Sequence, residues 1–256
     1  MTHQIHPTAI VDPSAEIGPD VVVDAYAIVG PTVTIHDGTT VGARAIIERG
    51  TRIGSGCTIG AGSILGTEPQ DRKYTGELTR VEVGDHTVLR EMVTVNRGVK
   101  GPTVIGAGCY IMTYAHIAHD CVLGQHVTVG NAVQCAGHVV MEDHANVGGL
   151  TPIHQFVRIG KRAFIGGGSR VPMDVPPFAL AAGNPIRLYG INVEGLRRAG
   201  FTSDQRRALK RAFRLLFNSD RLRSAALDAV RQEFPDDADV IHLADFVASS
   251  ERGVLV

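Results

Sequence analysis

The chain has 256 residues, a formal net charge of −1 and 44% hydrophobic residues, so it is long enough to bury a substantial core. The balanced charge does not favour a nucleic-acid partner, and no run approaches the roughly 20 apolar residues that span a bilayer. The amino terminus lacks the features of a signal peptide, and the four cysteines form no CxxC pair, so we expect a cytoplasmic protein with reduced thiols.

Aliphatic residues recur every six positions through most of the chain. One series runs from Ile5 to Leu65 and resumes in frame at Val83, and a second, shifted by four residues, runs from Ile105 to Val171. A period of six fits short strands joined by tight turns, with three units to a coil, so that position i lies under position i+18. Glycine often follows the aliphatic position, as close backbone approach at a corner requires. We predict a mainly β fold, a parallel β-helix.

Two segments interrupt this repeat. Residues 66–80, GTEPQDRKYTGELTR, are polar, and because 83 minus 65 is 18 we interpret them as replacing one whole coil. They form either a binding loop or a solvated insertion. Four extra residues near RGVKGPT predict a second, shorter excursion.

A different organisation begins after Val171. The prolines of PMDVPPFALAAGNPIRLYG argue against further regular strand pairing. Helical periodicity then takes over, with a capping box at Thr202 and Gln205 and with Pro235 between the last two helices. We predict a β-helix domain over residues 1–191 and a small C-terminal domain of three α-helices over residues 192–256.

The segment AHIAHD places His119 and Asp120 side by side. Adding 18 to each number gives Gly137 and His138, so AGH should stack on HD in the next coil, with Arg97 on the other side. In such a cluster His119 could accept a proton while Asp120 fixes its tautomer. The Gly137 N–H could stabilise an oxyanion. The pattern favours catalysis over the alternative, a set of ordinary turn residues.

Metal binding is the competing hypothesis, because 11 histidines are present. Zinc usually requires three well-placed protein ligands and a water molecule. No such set is evident in the sequence, and the adjacency of His119 and Asp120 suits a base better. We therefore predict no metal.

Several motifs resemble one family over nearly the whole chain. They are AHIAHDC, QDRKY, TRVEVG, AGHV, HQF, DVPPF and GINVEGLRRAGF, and they are similar to the hexapeptide-repeat UDP-N-acetylglucosamine 3-O-acyltransferases. The resemblance implies a left-handed β-helix, where general crossover rules would favour the right-handed form. It also implies transfer of an (R)-3-hydroxyacyl chain from acyl carrier protein to UDP-N-acetylglucosamine, the first step of lipid A biosynthesis. No metal, cofactor or covalent intermediate is implied, and the active sites of a homotrimer would lie between subunits.

The resemblance further assigns roles to individual residues. His119 would be the general base, Asp120 its support and Gly137 the oxyanion donor. The implied substrate-binding residues are Gln70, Asp71, Lys73, Asn96, His116, His138, His154, Gln155, Gly166, Asn192, Glu194 and Arg198. Within that set, the residues of the insert would act on a neighbouring subunit's cleft, and Gly166 would leave room for a long acyl chain.

A basic segment adds a possible partner surface. Residues 195–232 hold 10 Lys or Arg against three Asp. Because acyl carrier proteins are strongly acidic, this excess suits docking, although an ordinary basic helix face would look the same.

Three residues depart from the family pattern: Asn96 stands where His is usual, Ala199 where a second Arg often follows Arg198, and Pro185 where some members have His. Asn96 leaves 3-O- and 3-N-acylation open as alternatives. An N-acyltransferase acting on the next lipid A intermediate and a non-catalytic binding solenoid are the remaining hypotheses.

Overall fold

The computed structural model describes residues 4–256, and residues 1–3 of the predicted first domain lie outside the described residues. Most of the chain consists of short strands. In chain order they are β1 (Gln4–Ile5), β2 (Ile10–Val11), β3 (Glu16–Ile17), β4 (Val22–Val23), β5 (Ile28–Val29), β6 (Thr34–Ile35), β7 (Thr40–Val41), β8 (Ile46–Ile47), β9 (Arg52–Ile53), β10 (Thr58–Ile59), β11 (Ile64–Thr67), β12 (Val81–Val83), β13 (Val88–Leu89), β14 (Thr94–Asn96), β15 (Thr103–Ile105), β16 (Tyr110–Ile111), β17 (His116–Ile117), β18 (Val122–Leu123), β19 (Thr128–Val129), β20 (Gln134–Cys135), β21 (Val140–Met141), β22 (Asn146–Val147), β23 (Pro152–Ile153), β24 (Arg158–Ile159), β25 (Phe164–Ile165), β26 (Ala179–Gly183) and β27 (Ile186–Ile191).

These strands form three parallel sheets, the faces of a left-handed β-helix, as predicted. Up to β25, face 1 contains every third strand from β1, face 2 every third strand from β2, and face 3 every third strand from β3. The aliphatic residue of each unit points inward, and from Val23 onwards these side chains are nearly all fully buried. The core is therefore a column of stacked Ile, Val and Leu side chains.

Glycine after the aliphatic position permits the coils to stack closely. A Cβ at Gly60 would lie 2.5 Å from the backbone nitrogen of Glu91, and one at Gly130 would lie 2.5 Å from that of Gly149. The left-handed backbone conformation at the corners does not require glycine. Tyr114, with φ 63°, and His126, with φ 55°, both adopt it. The predicted close approach is confirmed.

The insert adds chain without replacing a coil, so the interpretation drawn from the sequence is wrong. Ile53 pairs with Val83 on face 3, and 83 minus 53 is 30, which is one period of 18 plus 12 inserted residues. β11 and β12 are consecutive strands of one coil, and the insert projects between them. An insertion of 12 residues is not evident in the sequence, because 12 is a multiple of six and the aliphatic positions stay in frame. The second excursion adds the four residues expected, since Val83 pairs with Ile105.

Pairing also continues past Val171, contrary to the expectation from the prolines. β26 joins face 1 in parallel with β25, and β27 turns back against it as an antiparallel hairpin. The prolines lie before β26 and in the hairpin turn, so neither strand contains one.

Four helices follow rather than three: α1 (Val193–Arg198), α2 (Ser203–Phe217), α3 (Arg223–Glu233) and α4 (Ala238–Ala248). The additional one is α1, which is too short to show periodicity in the sequence. Thr202 and Gln205 form the predicted capping box, and Pro235 lies between α3 and α4. The predicted division after residue 191 falls between β27 and α1. Within residues 4–256, the helices are all too short or too polar to span a membrane.

Polar contacts fasten the helices to the coils. His242 Nε2 of α4 lies 2.7 Å from Glu142 Oε2, and Lys161 Nζ lies 3.2 Å from Asp239 Oδ1. The hydrogen bond to Glu142 raises the pKa of His242, despite partial burial that acts in the opposite direction.

This ion pair predicts a pH-dependent contribution to stability. Because the pKa of His242 is raised in the folded state, the stabilisation is complete below about pH 6.5 and is lost as pH rises through the folded pKa. We expect His242→Gln to lower the melting temperature most below about pH 6.5, with the difference from wild type shrinking above it. Thermal unfolding across this range measures the effect, and in a Glu142→Gln background the pH-dependent difference should vanish.

Candidate functional site

The catalytic candidates lie at the corner between faces 2 and 3. His119 and Asp120 form the turn between β17 and β18, and Gly137 and His138 form the next coil's turn between β20 and β21. Pairing of His116 with Gln134 sets the register, since 134 minus 116 is 18. The predicted stacking of AGH on HD is therefore what the fold produces.

His119 and Asp120 form a tight, largely buried pair. His119 Nδ1 lies 2.8 Å from Asp120 Oδ2, and the two side chains are only 12% and 9% exposed. Since an ionised carboxylate only accepts, this contact assigns the proton to Nδ1 and leaves Nε2 available as a base.

Asp120 is held as an anion. Burial alone would raise its pKa, but backbone N–H groups of Val99, Lys100 and Gly101, together with His119, lower it to about 2. Oδ2 accepts from Val99 at 2.8 Å, and Oδ1 accepts from Lys100 and Gly101 at 3.0 and 3.2 Å. Hydrogen bonds to the charged form outweigh desolvation here.

Gly137 lies directly against the imidazole of His119. A Cβ at position 137 would lie 2.6 Å from Nε2 and from Cε1, so any other residue would displace the ring. The hydrogen bonds found within residues 4–256 leave the Gly137 N–H free. A free N–H on a residue that packs against the base is a candidate oxyanion donor.

His138 completes the cluster and stacks on a residue that the sequence analysis missed. Its ring meets that of His119 edge-on at 5.1 Å and stacks flat on Phe156 at 4.6 Å. Burial lowers the pKa of His138, while the charges of Asp120 and Asp71 act in the opposite direction. Phe156 occupies the position equivalent to His138 in the following coil, so the period could have identified it.

The same cluster also brings three potential metal ligands close together. One donor atom from each of His119, Asp120 and His138 lies within 4.8 Å of the other two. Two imidazoles and one carboxylate are a reasonable ligand set, yet Asp120 is also fully engaged by backbone N–H groups and by His119.

The insert is anchored at its base by two residues of β14 and the segment after it. Arg97 is 6% exposed and donates to Gly66 O, Glu68 Oε1 and Tyr74 Oη. Its side chain thus turns towards the insert. Asn96 is 3% exposed, and its Nδ2 donates to Thr67 Oγ1 and Glu68 O. The structure therefore gives Asn96 a place under the insert, away from open surface.

The tip of the insert carries the other predicted contacts. Gln70 and Lys73 are exposed, and Asp71 accepts the Lys73 N–H at 2.9 Å in a local turn. The charge of Asp71 acts to raise the pKa of the cluster residue His138.

The remaining predicted residues of the coils are His116, His154 and Gln155 near this corner and Gly166 away from it. His116 is half-buried and lies 2.8 Å from Thr94 Oγ1, and burial lowers its pKa. His154 and Gln155 are exposed one coil beyond Gly137, where Arg252 Nη2 approaches His154 Nδ1 at 2.8 Å. Gly166 lies away from them on face 1, where a Cβ would lie 2.9 Å from Ala182 Cβ.

Asn192, Glu194 and Arg198 are not brought to the histidine corner. They line a separate pocket of about 890 Å³ between face 1 and α1. Asn192 caps α1, accepting the Gly195 N–H, and Glu194 bonds to Arg197 and Arg198. These ion pairs lower the pKa of Glu194 to about 2.

The sequence analysis also did not identify the residues on the opposite wall of this pocket. His126 and His144 stack at 5.0 Å with an angle of 14°, and Arg162 follows. Their numbers again differ by 18. One chain thus presents two separate parts of the predicted site, one at each of two corners.

The chain matches models of two protein families. "Bacterial transferase hexapeptide (six repeats)" matches residues 32–67 and 102–137, and "Udp N-acetylglucosamine O-acyltransferase; Domain 2" matches residues 174–255. The second match begins before the helices and includes the β26–β27 hairpin.

Whole-length relatives agree with these models. The acyl-[acyl-carrier-protein]--UDP-N-acetylglucosamine O-acyltransferases of Alkalilimnicola ehrlichii and Burkholderia thailandensis are 54% and 53% identical, each over 98% of this chain and 99% of the relative. Among solved structures, the UDP-N-acetylglucosamine acyltransferase of Bacteroides fragilis is 37% identical with a TM-score of 0.96, covering 98% of this chain and 99% of that one. That of Campylobacter jejuni is 36% identical with a TM-score of 0.93 and covers 99% of both chains.

Identity above half over nearly the full length, and a backbone that superposes on solved members from end to end, together settle the family. The chain is an acyltransferase that belongs to the UDP-N-acetylglucosamine O-acyltransferase family.

Proposed function

We propose that this chain transfers an (R)-3-hydroxyacyl group from acyl carrier protein to the 3-hydroxyl of UDP-N-acetylglucosamine, the first step of lipid A biosynthesis. The names of the relatives support the two substrate classes. The observation that carries the mechanism is the pairing of His119 Nδ1 with Asp120, with Gly137, whose N–H is free, packed against the His119 ring.

The reaction follows from this geometry. His119 Nε2 removes the proton from the sugar hydroxyl as its oxygen attacks the thioester carbonyl. The carbonyl oxygen becomes an anion and accepts the free Gly137 N–H. When the intermediate collapses, the C–S bond breaks and His119 returns its proton to the thiolate. Asp120 stays ionised throughout and stabilises the imidazolium, so no covalent enzyme intermediate and no metal are required.

Three copies of the chain would complete the site. In one chain the histidine corner and the pocket of Asn192, Glu194 and Arg198 lie at different corners of the triangular coil. A cyclic homotrimer would place the pocket of one copy against the histidine corner of the next. Nucleotide binding in the pocket and acyl transfer at His119 then belong to neighbouring subunits, with Lys73 and Gln70 of the exposed insert tip contacting the substrate between them.

Acyl carrier protein would approach the helices. Several basic residues of the segment 195–232 are neutralised within the chain, as Arg211 is by Glu233 and Arg207 by Asp204. Among the described residues, Lys210 and Arg214 on α2 have no ion pair, and they flank a pocket of about 290 Å³. An acidic partner suits this surface.

Acylation of a 3-amino acceptor is the alternative, and it was suggested by Asn96. Its side chain supports the insert and is nearly inaccessible, which favours an indirect effect on the acceptor. Mass spectrometry of products formed from equal amounts of UDP-N-acetylglucosamine and its 3-amino analogue distinguishes the two. Preferential amide formation would overturn the proposed 3-O-acylation.

The first prediction concerns the base. His119→Ala removes the proton acceptor, and we expect acyl transfer to fall by at least about 10²–10⁴-fold, the usual contribution of general base catalysis. Initial rates with acyl carrier protein thioester give the comparison, and His86→Ala, which removes an exposed imidazole between β12 and β13 that lines neither part of the site, is a control. Retention of most of the turnover by His119→Ala would falsify the proposed role.

The second prediction concerns Gly137. A methyl group there would lie 2.6 Å from His119 Nε2, so Gly137→Ala should displace the ring and occupy the carbonyl position. We expect kcat to fall by about 10²-fold or more, with little change in melting temperature. Wild-type kcat in this variant would show that Gly137 does not border the reacting atoms.

The third prediction concerns metals. Since the proposed chemistry uses only protein groups, dialysis against a chelator should leave kcat unchanged. Added Zn²⁺ should inhibit, because His119 Nε2 and His138 would bind it and the base would be lost. Loss of activity on chelation, with recovery on adding Zn²⁺, would instead make the cluster a catalytic metal site.

A further inference from the structure

The four-residue excursion after β14 folds over the carboxylate of Asp120. The chain between β14 and β15, residues 97–102, leaves the coil, and the N–H groups of Val99, Lys100 and Gly101 point back at the two oxygens, as described above. Three consecutive amides on one carboxylate form a concave anion site. Neither the comparisons nor the proposed reaction gives this loop a role.

The loop can adopt this shape only with glycine at position 98. A Cβ there would collide with the Gly101 carbonyl oxygen and would lie 2.9 Å from Asp120 Oδ1. At Gly101, by contrast, a Cβ would meet no atom within 4 Å. Side-chain hydroxyls fix the two ends, because Thr79 donates to Gly98 O and Thr103 Oγ1 accepts the Asp120 N–H at 2.9 Å.

We propose that the excursion between β14 and β15, residues 97–102, is a positioning element for Asp120, whose backbone N–H groups fix the carboxylate and turn Oδ2 towards His119. The proposal rests on the proposed roles of His119 and Asp120. Oδ2 accepts both the Val99 N–H and the His119 N–H, so the loop amide sets the direction in which His119 is held.

The electrostatic environment explains why a loop is needed. Asp120 is 9% exposed, and burial of its charge is unfavourable unless donors replace water. The titratable groups near it are His119 and Cys121 on either side in its own turn, His138 with Nε2 at 4.0 Å in the next coil, and Lys100 on the loop, whose charge acts on His138. The fixed dipoles of the three loop amides replace the water donors that the buried carboxylate would otherwise have.

The test compares two alanine substitutions in the same loop. Gly98→Ala should lower kcat about 10²-fold with KM nearly unchanged, because it shifts Asp120 without touching a bound substrate. Gly101→Ala keeps every amide and meets no atom, so its kcat should stay within about twofold of wild type. Equal activities of the two variants would overturn the proposal.

A second pair guards against misfolding of Gly98→Ala. Lys100→Pro removes the N–H to Asp120 Oδ1, whereas Lys100→Ala removes only the side chain. Loss of one charge-assisted hydrogen bond should lower kcat about tenfold in the first variant relative to the second. Melting temperatures identify any variant that does not fold.

A spectroscopic readout separates positioning from general stability. The carboxyl carbon of Asp120, followed by nuclear magnetic resonance, should titrate at higher pH in Gly98→Ala and Lys100→Pro than in their controls, since the pKa of Asp120 is about 2 with the loop intact. An unchanged titration in both variants would refute the proposal. The His119→Ala variant tests the role of the general base separately. The proposed role of the loop can therefore be refuted while the proposed reaction is retained.

Discussion

The stacking of aliphatic side chains from one coil to the next is the constraint on which everything else depends. Each coil must place its Ile, Val or Leu over the one below, because a shift of one residue would expose the whole interior column. The same register also fixes the residues at the corners. His119 meets Gly137 and Asp120 meets His138 because the core aligns the coils. Burial in the interior thus provides the precision that acid–base chemistry needs at the surface.

Where the chain leaves this register, it does so around the histidine corner. The 12-residue insert and the four-residue excursion are neighbours, joined by the buried Arg97 and by the hydrogen bond from Thr79 to Gly98. A regular coil offers few polar groups at a corner, since its backbone donors are used between coils. Irregular chain releases amides such as those of Val99 and Lys100 to bind a carboxylate. The two interruptions therefore provide the free backbone N–H groups that the regular repeat lacks at its corners.

Much of this architecture could be predicted from the sequence, since the repeat is strict and local. The column of aliphatic residues, the corner cluster and the capping box at Thr202 follow from spacing alone. The coil count at the insert could not be inferred, because 12 added residues preserve the six-residue frame. The orientation of the loop amides around Asp120 could not be predicted either, because the backbone direction of an irregular segment produces no recognisable pattern of residue types. α1 was too short for periodicity to appear.

The distribution of the predicted contacts over two corners gives the proposed assembly a chemical role. Asn192 is held by Arg162 and by the start of α1, so it cannot move to the histidine corner without breaking that cap. The helices are fixed in turn by ion pairs such as that of His242 with Glu142. In the proposed homotrimer, a nucleotide in the pocket would reach the His119 of a neighbouring chain. Rigid coils favour this arrangement. Because the histidine corner and the pocket are each already fixed in place, little conformational entropy is lost when a second copy of the chain brings them together.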